Sequence, residues 1–265
     1  MGILNVTPDS FSDGGRLLRP ADAVRQAERL VREGADLLDV GGESTRPGAE
    51  PVRLAEELRR VVPVIRLLAR RVRVPISVDT AKAEVARQAL AAGASIINDV
   101  TALRGDSAMA DVAARAGVLV ILMHMRGDPR TMQRAPCYHR VTADIAAFLR
   151  GAVERATQAG IRPDRILIDP GLGFGKTVSH NLRLLAQLPR LARLGYPLVI
   201  GPSRKSFIGT LAGGAGVDDR LPGTLACVAA AARVPRAIVR VHDVAAAVQF
   251  LTIQQAIAHA ARHQH

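Results

Sequence analysis

The chain has 265 residues, 48% of them apolar, enough for a full core in one large α/β domain or two small ones. Its formal net charge of +12 invites a nucleic-acid reading, but the arginines are scattered and aromatic residues make up only 3%, so no stacking platform or recognition helix emerges. Cys137 and Cys227 lack metal or disulfide-framework spacing, no charged segment leading into an apolar run opens the chain, and no run approaches the about 18 apolar residues of a membrane span. A cytoplasmic protein without nucleic-acid or membrane partners is expected.

Short apolar runs recur at 2–6, 37–41, 76–79, 95–100, 118–124, 166–169, 198–201 and 238–241. They are continuous rather than alternating, which predicts parallel strands buried on both faces. Each is followed by a stretch rich in Ala, Leu, Arg and Glu, at 20–33, 51–71, 81–92, 107–116, 141–159, 178–194, 220–232 and 244–261, where helices are predicted. Gly34, Gly93, Gly117, Gly160 and Gly195 stand shortly before the next strand, as helix C-terminal punctuation. Eight strand-helix repeats without a linker predict a (β/α)8 TIM barrel, a single domain over 1–265.

Barrel active sites form at the C-terminal ends of the strands. Here those ends carry Asn5, the segment 41–46, Asp79, Asn98 and Asp99, His124, Asp169, the segment 203–206, and Arg240, His242 and Asp243. Asp79 alone reads more plainly as a helix cap, but polar groups at all eight equivalent positions point to a site. Asp79, Asn98 and Asp169 can converge on a flat, nitrogen-rich ring, because carboxylates that accept paired N–H bonds in a dry pocket confer specificity. Arg240 and His242, at the opposite end of the constellation, supply donors for a phosphate, and Asn5 an amide oxygen for its metal.

Only three of the 36 basic residues are lysines: Lys82, Lys176 and Lys205. Arginine serves wherever a generic charge is needed, so Lys205, in Ser203-Arg-Lys-Ser206 after a buried strand, is assigned a function. The run Gly171-Leu-Gly-Phe-Gly-Lys-Thr177 is not a P-loop, since Pro170 stands where that motif needs its first glycine. It is read as a flexible turn presenting Phe174, with Lys176 as a solvated charge. Two further loops, 7–15 and 42–48, are rich in Gly, Ser and Pro, and carry Asp13 and Arg46 to close over a ligand.

The stretches 2–15, Asp39-Val-Gly-Gly-Glu-Ser-Thr-Arg-Pro-Gly48, Ser77-Val-Asp-Thr80, Ile97-Asn-Asp99, Leu122-Met-His-Met-Arg126, 169–176, Ser203-Arg-Lys-Ser-Phe207 and Arg240-Val-His-Asp-Val244 together resemble the dihydropteroate synthase family over nearly the whole chain. The resemblance implies a transferase of folate biosynthesis that joins para-aminobenzoate to dihydropterin pyrophosphate, giving 7,8-dihydropteroate and pyrophosphate. It implies pterin contacts at Asp79, Asn98, Met123, Asp169 and Lys205, and a pyrophosphate group at Asn5, Arg240 and His242, with magnesium on Asn5. Para-aminobenzoate, the molecule that sulfonamides mimic, is assigned Phe11, Thr45, Arg46, Pro47, Phe174 and Ser206, whose amide at a helix start receives the carboxylate. Asp13, Arg46, Asp79 and Lys205 are the residues implied to act in the reaction, and a homodimer is implied.

A pterin-dependent methyltransferase shares the barrel and the acids, but the 7–15 loop, Arg46 and the Arg240–His242 pair argue against it, since it has no pyrophosphate to hold. A non-catalytic pterin-binding relative is expected to lack Asn5, Arg46 or His242, and all three are present. One departure from the family pattern is Arg233-Val-Pro-Arg236, where a Gly-Ala turn is expected before the last strand.

Overall fold

The computed structural model describes residues 1–7, 20–45 and 48–262. Eight strands form at the expected places: β1 (Gly2–Asn5), β2 (Leu38–Gly41), β3 (Ile76–Asp79), β4 (Ile96–Asp99), β5 (Leu119–Met123), β6 (Ile166–Asp169), β7 (Val199–Ile200) and β8 (Ile238–Val239). The first six pair in chain order, and β7 pairs with β8, all in parallel. Two bridges, Ile168 with Leu198 and Gly2 with Val241, join the two sheets. Ile168 N donates to Pro197 O, and Ile3 N to Val241 O, each at 3.0 Å. These bonds close the ring, so the (β/α)8 barrel expected from the apolar runs is the fold observed.

The helices are α1 (Pro20–Arg32), α2 (Leu54–Leu68), α3 (Ala83–Ala92), α4 (Met109–Ala116), α5 (Val141–Gln158), α6 (Val178–Ala186), α7 (Leu188–Ala192), α8 (Ser206–Leu211), α9 (Leu221–Ala231) and α10 (Val244–Arg262). The single helix expected over 178–194 is two, broken at Gln187. Pro189 explains the break, because it has no N–H for the Leu185 carbonyl and its ring crowds that turn. Gly93 and Gly117 end α3 and α4 in the left-handed conformation, as their positions predicted. Before β8, where a glycine is expected, Arg236 takes φ 58° and its guanidinium donates to Gly195 O at 3.1 Å.

Strand residues alternate between two cores. Leu4, Leu38, Val40, Val78, Ile97, Val120, Leu122, Ile166 and Ile168 pack outward under the helices. Met1, Ile96, Ile121, Leu167 and Val199 fill the barrel's interior at its floor. α10 is long and apolar enough, by length and composition, to cross a membrane, contrary to the sequence expectation that no run comes near that length. Its sequence includes Gln249, Gln254, Gln255 and His259, and its Val244 and Ala247 are buried against the barrel, so here it is the eighth barrel helix with an exposed outer face.

Candidate active site

Asp79 and Asp169 end their strands and Asn98 stands one residue before the end of β4, all three buried. The parallel register sets Asp79 beside Asn98, and Met123 beside Asp169, so one rim of the barrel gathers them. Arg240 reaches this rim from just beyond β8: its Nε donates to Asp39 Oδ2 at 2.6 Å and its Nη2 to Asp79 Oδ2 at 2.8 Å. Asn98 Nδ2 also donates to Asp39 Oδ2, at 3.1 Å. Asp79 and Arg240, expected at opposite ends of the constellation, are therefore one ion-paired unit. Asp79 caps nothing, since α3 opens at Ala83, whose N–H goes to Asp106 Oδ2.

Asp39, fully buried at the centre of this unit, escaped the sequence reading as a site residue. The signal was available: it stands two positions before Gly41, which pairs with Asp79, and so shares the inward parity of the other site residues.

Burial, and after it the Asp39 carboxylate, raises the Asp79 carboxyl to about 7 against the attraction of Arg240. Burial likewise raises Asp169 to about 6, opposed by the Gly171 N–H, 2.6 Å from Oδ1, and by Lys205. Arg240 is shifted upward despite burial, because two carboxylates flank it. A guanidinium held charged offers a cation to an anion, and the neighbouring acids accept N–H donors once they are ionised.

The turn after β6 is not the flexible segment expected. Gly171 and Gly175 have φ of +66° and +64°, and a Cβ there would stand 2.0 Å from His124 O and 2.4 Å from Arg126 O. Glycine is required because the turn lies against the backbone that follows β5. Nor is Lys176 a solvated charge: it is buried, donates to Phe174 O at 2.9 Å and lies 3.0 Å from His124 Nδ1. A lysine donor at Nδ1 assigns the His124 ring proton to Nε2. Burial, mainly, lowers Lys176 to about 7 and His124 to about 2. Phe174 O, His124 Nδ1 and, at 3.5 Å, His124 O take the Lys176 donors in place of water.

Phe174, fixed by this turn, joins Met123, Met125, Met132 and Val100 in an apolar wall. The Lys205 ammonium lies 4.0 Å from the Phe174 ring centroid, so two residues assigned to different substrates meet in a cation–π contact. Its neighbour Arg204, at φ 57°, turns away and pairs with both oxygens of Asp243, at 3.0 and 2.6 Å. Ser203 Oγ accepts from His242 N at 3.1 Å and lies 2.9 Å from His242 Nδ1, so this one hydroxyl holds both the backbone and the ring of His242. Ser206 opens α8, exposed; Asn5 and Thr45 are half-buried. The four other expected site residues, Phe11, Asp13, Arg46 and Pro47, lie outside the described residues.

The family profile described as pterin binding enzyme matches residues 1–242. Dihydropteroate synthase of Escherichia coli K12 is 49% identical over 256 residues, covering 97% of this chain and 90% of that protein. Among solved structures, Xanthomonas albilineans dihydropteroate synthase with 4-aminobenzoic acid superposes with a TM-score of 0.91 at 52% identity, over 97% of this chain and 92% of the other. The same enzyme in complex with 7,8-dihydropteroate gives 0.87 at 48%, over the same shares. The chain belongs to the pterin binding enzyme family and, within it, stands with the dihydropteroate synthases.

Proposed function

We infer that the chain, acting as one pterin-binding barrel domain over 1–265, condenses dihydropterin pyrophosphate with para-aminobenzoate to give 7,8-dihydropteroate and pyrophosphate. The observation that carries the reading is the union of Asp79, Asn98 and Asp39 with Arg240 at one rim, beside Asp169. Acids that accept the ring-edge N–H groups stand next to a permanent cation for the leaving group.

Asp169 and Asp79 accept from the pterin, Asn98 adds an amide, and Met123 packs on the ring with Lys205 beside it. Arg240 and His242 donate to the pyrophosphate. As the bond from the methylene carbon to the pyrophosphate oxygen breaks, these donors stabilise the charge growing on oxygen. The carboxylates, with Asp13, stabilise the methylene cation left behind. The neutral aniline nitrogen then attacks that carbon, held by Thr45, Pro47, Phe11 and Phe174, with its carboxylate at the Ser206 amide and Arg46 closing the pocket. Its proton leaves with pyrophosphate or water, and no nucleophilic side chain is needed.

Magnesium fits the donor set. Among the described residues no three His, Cys, Asp or Glu groups gather into a metal cage, and Asn5 offers one amide oxygen, which suits an ion that draws most ligands from phosphate and water. Bound on Asn5, it would neutralise charge on the leaving pyrophosphate. A cytoplasmic homodimer completes the reading: α10 exposes Ile253 and Ile257, one helical turn apart, an apolar surface that a second copy would cover.

Incubating the protein with both substrates and magnesium is expected to yield dihydropteroate and pyrophosphate in equal amounts, with turnover lost on chelation and restored by magnesium. Pyrophosphate released without dihydropteroate would mark a hydrolase and overturn the reading. Sedimentation at twice the chain mass checks the dimer.

A further inference from the structure

The proposed reaction leaves Lys82 without a task. This lysine lies in the turn from β3 to α3, just beyond Asp79, and its ammonium meets two carboxylates: Glu43, in the segment after β2, and Glu57 on α2, at 2.5 Å. Glu57 is fully buried, and both its oxygens are engaged: Oε2 by Lys82, Oε1 by the Thr80 hydroxyl at 2.6 Å. Burial raises the Glu57 carboxyl against these bonds, whereas the two carboxylates hold Lys82 above its usual range in spite of burial.

One ammonium satisfies Glu57, so Glu43 is surplus to neutralisation. With it, two negative groups share one cation in a partly buried gap, an arrangement that costs free energy unless it secures geometry. The geometry it secures is the path of the chain towards Thr45. That path is pinned at a second point, Gly42, where a Cβ would stand 2.6 Å from Val61 Cγ2. The Gly42 carbonyl accepts from Arg60 Nη1 at 2.9 Å, and Arg60 is braced by Glu56 at 2.7 Å.

We propose that Lys82 is a positioning residue that ties the segment 42–45, through Glu43, to the turn carrying Asp79, and so holds Thr45 in register with the pterin contact. The proposal rests on the assignment of Thr45 to para-aminobenzoate. A lysine suits the task, since a compact ammonium with three rotatable donors can meet carboxylates that approach from separate elements. In a chain with only three lysines among 36 basic residues, that choice is specific.

Two variants separate a tether from simple neutralisation of Glu57. Glu43→Ala removes the tether and leaves Glu57 paired with Lys82 and Thr80, while Lys82→Met removes both. Glu43→Ala is expected to raise KM for para-aminobenzoate about tenfold, because small misplacements of a positioning group carry large kinetic costs. Its pterin Kd should stay within about twofold and its Tm within about 3 °C. Lys82→Met should show the same KM and a Tm lower by about 10 °C, since it strands a buried carboxylate. A parental KM in Glu43→Ala overturns the proposal, as does a loss of pterin affinity as large as the change in KM. Should Lys82→Met fail to fold, Glu43→Ala decides alone. If the parent protein makes no dihydropteroate, the functional reading fails instead, and amide hydrogen exchange over 42–45 reads the tether: faster in Glu43→Ala supports it, unchanged overturns it.

Discussion

Ile96 and Asn98, like Leu167 and Asp169, are separated by one pleat of the same strand, about 7 Å, and Ile238 at the end of the barrel's last strand stands two residues before Arg240, and yet these partners belong to opposite ends of the barrel. At the floor, Met1, Ile96, Ile121, Leu167 and Val199 close the interior with apolar side chains. At the mouth, inward positions carry Asp79, Asn98 and Asp169. Asn98 and Asp169 stand directly above Ile96 and Leu167, whereas Asp79 stands above the buried hydroxyl of Ser77. The acids titrate abnormally because they are buried inside the ring: burial, more than any neighbouring charge, raises Asp79 to about 7 and Asp169 to about 6.

The comparison breaks most visibly at Arg240. Arg240→Met leaves Asp39 and Asp79 buried without their shared cation. It is expected to cost about 3–5 kcal/mol of stability and to lower kcat by at least about 10²-fold, as measured by thermal melts and steady-state kinetics. A variant that melts like the parent would show that the mouth does not depend on this pair.

Ile121→Ala opens the floor instead. It should cost about 2–5 kcal/mol through lost burial and a cavity, while KM for both substrates changes less than about twofold in the folded fraction. A kinetic defect as large as that of Arg240→Met would erase the distinction between the two ends.

The smallest effect is one of pH. A carboxyl whose folded pKa is raised contributes stability that is complete below about 4 and lost as pH rises through the folded value, here about 6 for Asp169 and about 7 for Asp79. His124, lowered to about 2, acts in the opposite sense over part of that window, and Lys176, lowered to about 7, begins to act only above it. The rise in Tm on adding a pterin cancels those two contributions. Because the ring N–H groups need ionised acceptors, that rise should grow from pH 5 to pH 8 by a few degrees, on the order of 1 kcal/mol. Equal increments at both pH values would remove Asp79 and Asp169 from pterin recognition.

Much of the site was legible along the chain because strands buried on both faces make continuous apolar runs, and a barrel puts its polar residues where those runs end. The glycines at 93 and 117 announced helix ends for the same local reason. The scarcity of lysine is informative at all three positions. It singled out Lys205, but Lys82 and Lys176 turn out to be held as closely, one by two carboxylates and one by buried acceptors. Lys176 was misjudged because its partner His124 lies 52 residues away, beyond the reach of any local pattern.

The sequence by itself determined the eight strands, their parallel order and the residues that crown them, since period and punctuation are written in neighbouring positions. Only the tertiary structure decided which groups share charge. Asp39 meets Arg240 across 201 residues, and Glu43 meets Lys82 across 39. The first arises when the closing ring brings β8 against β1 and within reach of β2, the second when β2 pairs with β3, and burial then leads ionised groups to pair with the partner that this packing provides.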